Sequence, residues 1–125
     1  MALAVAGTIL ATTTPASAAV TKFCSLPYQQ AGYACFYSDG DKFEVTDEVK
    51  DGLRSVVIWT LMDGNRIVRS GECPNAAGYA TTVTCNYDFP EGSQMIVDFD
   101  VVARNGANGA DQYPTPAVIA YVSGR

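Results

Sequence analysis

The chain has 125 residues, with eight Lys and Arg against thirteen Asp and Glu and a net charge of −5. That balance argues against a nucleic-acid partner, which needs a basic surface. A content of 48% hydrophobic and 17% charged residues excludes an intrinsically disordered chain. The absence of histidine removes Ser-His-Asp and Cys-His catalysis and every metal site built on imidazole.

Residues 1–18, MALAVAGTILATTTPASA, carry no charged side chain. Their apolar run at 2–11 is shorter than the roughly 20 residues that span a bilayer. Ala16-Ser17-Ala18 supplies the small-x-small pattern of a signal-peptidase site, although the basic n-region is missing. The segment therefore reads as a signal peptide cleaved before Ala19, leaving 19–125 as a single secreted β domain with no membrane attachment. Cys24, Cys35, Cys73 and Cys85 form an even set in a short exported chain, the pattern of a two-disulfide framework. Their spacing is unlike the C-x₂₋₄-C pairs of structural zinc. Of three connectivities we favour Cys24–Cys35 with Cys73–Cys85, because closing short loops costs little entropy. The alternative joins Cys35 to Cys85 across two sheets as in an immunoglobulin core. Trp59 stands too far from Cys35 for that, and Val83 takes the place of the expected corner tyrosine.

Strand signals follow in order. Runs at 33–37 and 42–46 flank Ser38-Asp39-Gly40-Asp41, and Asp-Gly between apolar runs predicts a hairpin whose central residues take positive φ. Asp51-Gly52 leads into 55–62, a run apolar on both faces that predicts a central, doubly covered strand containing a core Trp59. Asp63-Gly64-Asn65 turns the chain into an edge-like strand at 66–69. Residues 81–89 alternate, with Val83, Cys85, Tyr87 and Phe89 on one face. Residues 95–104 do the same, with Met95, Val97, Phe99 and Val101 inward and Asp98 and Asp100 outward. A last apolar strand falls at 117–122. No window shows a helical stripe. About seven short strands predict an all-β, antiparallel sandwich of immunoglobulin-like size, with a small barrel as the alternative.

The runs CFYSDGDKFEVTDEVKDGLRSVVIWTL, GEC, GYATTVTC and DFPEG, spread over 33–104, resemble small exported proteins of high-GC Gram-positive bacteria. The resemblance implies a secreted, two-disulfide β domain. Those proteins have no assigned activity, so it assigns no functional residue.

Among residues that could carry chemistry, Asp39 and Asp41 share one turn and offer oxygen ligands for Ca²⁺, but the spacing departs from the EF-hand, with Phe43 and Glu44 at its fifth and sixth positions. Asp47, Glu48 and Asp51 cluster next; turn chemistry and solvation account for both groups. Asp98 and Asp100, two apart on one face, are separated by roughly 6–7 Å along a strand rising about 3.3 Å per residue, a spacing open to glycoside hydrolysis. Nothing in the sequence encloses them, and we expect no enzyme and no cofactor. Tyr33 and Tyr37 are expected in the core. Tyr28, Tyr79 and Tyr113 fall in loops, where a phenol ring serves a sugar or protein partner. The loop 105–116 ends in Tyr113-Pro114-Thr115-Pro116, whose prolines hold an extended backbone suited to docking; the bland reading of this loop is a mobile linker. Tyr79, Tyr113, Pro114 and Pro116 are thus the candidate ligand residues. The expected function is extracellular binding of a protein or polysaccharide, inhibition of a secreted hydrolase being one form. A small carboxylate-dependent hydrolase and a cell-surface structural protein are the alternatives.

Overall fold

The computed structural model describes residues 20–123; the leader reading at 1–18 lies outside them. Among the described residues the chain forms eight strands: β1 (Lys22–Cys24), β2 (Tyr33–Tyr37), β3 (Lys42–Thr46), β4 (Arg54–Asp63), β5 (Arg66–Asn75), β6 (Thr82–Asn86), β7 (Met95–Arg104) and β8 (Val118–Tyr121). They pair antiparallel throughout, in two sheets of order β1-β2-β3-β6 and β5-β4-β7-β8. The sheets do not close into a barrel, and the fold is a β-sandwich.

Period-two patterning builds this arrangement. Phe43 and Val45 on β3, Val57, Trp59 and Leu61 on β4, and Val97, Phe99 and Val101 on β7 point into one shared core. The interior is dense in aromatic rings. Trp59 lies 4.9 Å from the Tyr87 ring and 5.2 Å from Phe89, and Phe43 lies 5.2 Å from Phe99. Edge-to-face and tilted packing of this kind adds to the area term. Opposite Trp59 on β5 stands Gly71. A β-carbon there would sit 2.5 Å from Cζ2 of the indole, so the ring lies flat over the bare backbone and fills what a side chain would occupy.

Both disulfides take the favoured pairing but do different work. Cys24–Cys35 bridges directly opposed residues of β1 and β2 within one sheet. Cys73–Cys85 joins β5, the edge of one sheet, to β6, the edge of the other.

Several expectations are corrected. About seven strands are expected; β1 is an eighth, too short to show any period. β5 continues from Arg66 through Pro74 to Asn75, which an edge strand allows because proline's missing N–H falls where no neighbour is required. Tyr33 and Tyr37 are half-buried on the outer face, while Ala34 and Phe36 enter the core. Lys22 and Lys42 sit 5.5 and 5.2 Å from the Tyr37 ring, making that surface a cation–π stack. β4 is covered on its outer side only at Val56; Ile58 and Thr60 stay half-exposed. In the β2–β3 connection positive φ falls on Gly40 (93°) and Asp41 (49°), one residue later than a two-residue Asp-Gly turn places it, because four residues separate the Tyr37–Lys42 pair.

That turn locks one end of the sandwich. Asp41 is 6% exposed; its carboxylate accepts the Phe89 N–H at 2.9 Å and its carbonyl accepts the Tyr87 N–H. Burial, with Asp88 adding to it, raises the Asp41 pKa above the ordinary value of 3.8. The folded state therefore holds this proton more tightly than the unfolded chain. Its stabilisation is complete below pH 3.8 and is lost as pH rises through the folded value.

Three outcomes follow for stability. Gly71→Ala lowers unfolding free energy by about 1–3 kcal/mol through overpacking against the indole, and in a Trp59→Phe background the loss is smaller, measured by urea unfolding as a double-mutant cycle. Removing the Cys73–Cys85 bridge by paired alanine substitution costs about 3 kcal/mol, as expected for a loop of this length. Asp41→Asn keeps an acceptor for Phe89 and is at least as stable as the parent at pH 7, but loses part of the gain that acidification toward pH 4 brings the parent, read from urea midpoints at the two pH values.

Candidate binding face at the loop end

The topology sends the four connections 25–32, 47–53, 76–81 and 105–117 to the end opposite the Asp41 turn. Two of them, 47–53 and 76–81, are shaped locally by side-chain capping of nearby backbone. Asp47 Oδ1 accepts the Val49 N–H at 3.2 Å, Asp51 Oδ1 accepts that of Leu53 at 2.9 Å, and Asn75 Oδ1 accepts that of Ala77 at 3.0 Å. Asn75 is fully buried, and its amide also donates to the carbonyls of Val45 and Thr81 at 3.1 and 2.8 Å, fastening 76–81 to both sheets. Glu48 reaches across to accept the Tyr28 N–H at 3.1 Å, joining the first two loops. Asp47 is buried as well, and desolvation raises its pKa, with a further push from Asp51.

The connection 105–117 is no slack linker. Gln112 and Ala103 exchange both backbone hydrogen bonds, at 2.8 and 2.9 Å. Thr115 accepts the Val101 N–H on Oγ1 and donates its own N–H to the Val101 carbonyl. The second half therefore runs as a strap along β7, extending the line of β8. At its base Arg104 makes a bidentate pair with Glu72, at 2.6 and 2.8 Å, and donates from Nε to Asp111 at 2.5 Å. The hydrogen bond from Arg104 holds the Glu72 carboxyl below its ordinary range. The Glu72 carbonyl accepts from the Tyr87 hydroxyl, which in turn accepts from Trp59 Nε1 at 3.3 Å. A polar chain thus runs from the aromatic core to the strap.

Three tyrosines project from this end, one from each of three loops: Tyr28 (90% exposed), Tyr79 (53%) and Tyr113 (50%). Tyr28 and Tyr113 are held at φ of 62° and 54°, and Ala80, beside Tyr79, at 63°. A bulky side chain at positive φ is uncommon and is retained where the surrounding structure dictates it. Between the loops opens a cleft of about 510 Å³, lined by Asp47, Lys50, Arg54, Gly78 and Tyr79 among others.

Of the candidate ligand residues, Tyr79 lines the cleft, whereas Tyr113, Pro114 and Pro116 lie on the strap, all three exposed. Tyr28 falls in a loop but carries no mark of a site in the sequence, and nothing there connects Lys50 and Arg54 with Tyr79. Asp39 is exposed while Asp41 turns inward, and among the described residues no three of His, Cys, Asp or Glu gather in a way that could hold a metal ion. Asp98 and Asp100 lie on the outer face of β7, opposite Thr60 and Ile58, away from the cleft. Burial and the nearby Asp98 and Asp111 raise the Asp100 pKa. No helix among the described residues is long and apolar enough to cross a membrane. No family model matches the chain, and comparison with curated proteins and with solved structures returned no match.

Replacing Arg104 by Met frees Asp111 and the base of the strap. The expected loss is about 1 kcal/mol, with faster amide exchange at 105–112. The lowered Glu72 pKa means that the stabilisation it signals is present above the ordinary value of 4.5 and is lost as pH falls through the folded value. The difference between parent and Arg104→Met therefore shrinks in acid.

Proposed function

We propose that this protein is an extracellular binding module that engages its partner through the loop end. The observation that carries this reading is the presence at one end of three exposed tyrosines, Tyr28, Tyr79 and Tyr113, on three loops, with Tyr79 lining an open cleft and the loops of Tyr79 and Tyr113 pinned by buried side chains. Rigid aromatic groups lose little conformational entropy on docking and bury a large area, which is why they dominate binding faces. Positive-φ backbone at Tyr28 and Tyr113 supports the same reading, since strain of this kind gathers at functional positions.

Two disulfides fit an extracellular setting. Together with the leader pattern of 1–18 they support secretion as the route. An acid-catalysed hydrolase is the weaker reading, because Asp98 and Asp100 lie on a sheet face outside the cleft.

The test uses the chain from Ala19 onward, in parent form and as a Tyr28→Ala, Tyr79→Ala, Tyr113→Ala triple variant. Both are assayed against a panel of polysaccharides and secreted hydrolases by calorimetry and residual activity. The parent is expected to bind or inhibit at least one member, and the triple variant to lose at least about a hundredfold in affinity with its thermal transition intact. Equal affinity in the two proteins overturns the reading.

A further inference from the structure

We propose, resting on the loop end as the binding face, that its cleft accepts a single carboxylate-bearing sugar unit within an otherwise neutral saccharide. The starting observation is a difference among the cations. Lys22 and Lys42 stack on Tyr37, Arg66 pairs with Asp63, Arg69 covers the Trp59 and Tyr87 rings, and Arg104 is held by Glu72 and Asp111. Lys50 and Arg54 alone among the described cations have no such partner, and both line the same cleft. Of the carboxylates closest in sequence, Asp47 lines the cleft too and caps the Val49 N–H, while Asp51 caps Leu53 and Glu48 accepts from Tyr28. Two cations without an ion-pair partner, set against the single carboxylate of the wall, Asp47, are suited to an anion from outside, and the planar guanidinium fork matches a carboxylate.

The rest of the lining selects the remainder of the ligand. Gly52, Gly78 and Gly106 form part of the wall, and at each a β-carbon would meet only open space. No side chain screens the backbone from hydroxyls there, although the Gly78 carbonyl already accepts from the Thr81 N–H and hydroxyl. Asn75 belongs to the wall, but its amide is committed to the backbone on both sides. Tyr79 supplies a half-exposed ring on which a pyranose can lie. The cleft presents Val49 and Leu53 as its larger aliphatic side chains, both partly exposed, which is little for anchoring an apolar peptide side chain. A strongly polyanionic chain is disfavoured by the net charge of −5, and by the Asp47, Glu48 and Asp51 carboxylates beside the cleft. A lone carboxylate meets two cations against the one carboxylate of the wall, whereas every further negative charge of a polyanion meets the acidic surface beyond them.

The experiment titrates the chain from Ala19 onward with cellobiouronic acid, cellobiose, glucose 6-phosphate and N-acetyl-diglycine, following backbone amide shifts by NMR up to about 10 mM. Cellobiouronic acid is expected to move the amides of Gly52, Gly78 and Gly106 and to bind at least about tenfold more tightly than cellobiose, the gain of one charge-assisted contact. Lys50→Gln and Arg54→Gln each lower the preference for the acid over cellobiose and together remove its roughly tenfold margin, and raised salt weakens the acid preferentially. Tyr79→Ala weakens both sugars. The proposal is overturned if cellobiose equals the acid, if N-acetyl-diglycine or the phosphate ester binds as well as the acid, or if none of the four binds. In that last case a loop-end tyrosine variant that still loses its polysaccharide or hydrolase partner leaves the binding-module reading standing. Each variant is first checked for an unchanged thermal transition.

Discussion

Everything in the molecule depends on two sheets burying one face each against a common aromatic interior, and Trp59 is the piece that closes it. Its indole covers the bare backbone of Gly71, touches Tyr87 and Phe89, and carries the Arg69 guanidinium 5.5 Å from its ring. A ring packed on glycine is sensitive to any added carbon, since protein interiors leave few voids. The Cys73–Cys85 bridge reinforces the same edge, where β5 and β6 would otherwise meet only through side chains.

From that interior the structure becomes asymmetric along its long axis. At one end Asp41 ties the 38–41 turn to the 87–94 connection, and Phe89 is drawn into the core. At the other end three of the four loops are fixed by buried or half-buried polar side chains: Asn75 for 76–81, Thr115 and Arg104 for the strap, Asp47 for 47–53. Pinned loops of this sort give an exposed surface a defined shape without withdrawing its side chains from solvent. The Trp59–Tyr87–Glu72–Arg104–Asp111 chain makes the strap mechanically continuous with the core.

Much of the fold was legible in the sequence, for physical reasons that differ by segment. β7 declares itself because Val97, Phe99 and Val101 alternate with Asp98 and Asp100, so one face has no choice but to be buried. The disulfide pairing followed from loop closure. β1 escaped because three residues cannot display a period. Tyr33 and Tyr37 were placed on the wrong side because alternation separates two faces without saying which is buried when Tyr37 and its neighbour Phe36 are both aromatic. The cleft was the least legible feature. Its residues come from segments whose local composition reads simply as turns, and Lys50 and Arg54 acquire meaning only once folding shows that every other described cation is engaged.

The edge strand β5 carries one more consequence. Its first half, from Arg66 to Ser70, is open to solvent, with Ile67 and Val68 among the most exposed aliphatic side chains. Such a ribbon is a template for intermolecular pairing, yet it is bracketed by Arg66 and Arg69 and broken by a register slip opposite Leu61 and Met62. The guanidinium that lies over Trp59 thus doubles as a gatekeeper. Neutralising Arg69 would strip cover from the indole and leave the neighbouring Ile-Val pair with one charged guard fewer, so core solidity and colloidal behaviour are coupled through a single side chain.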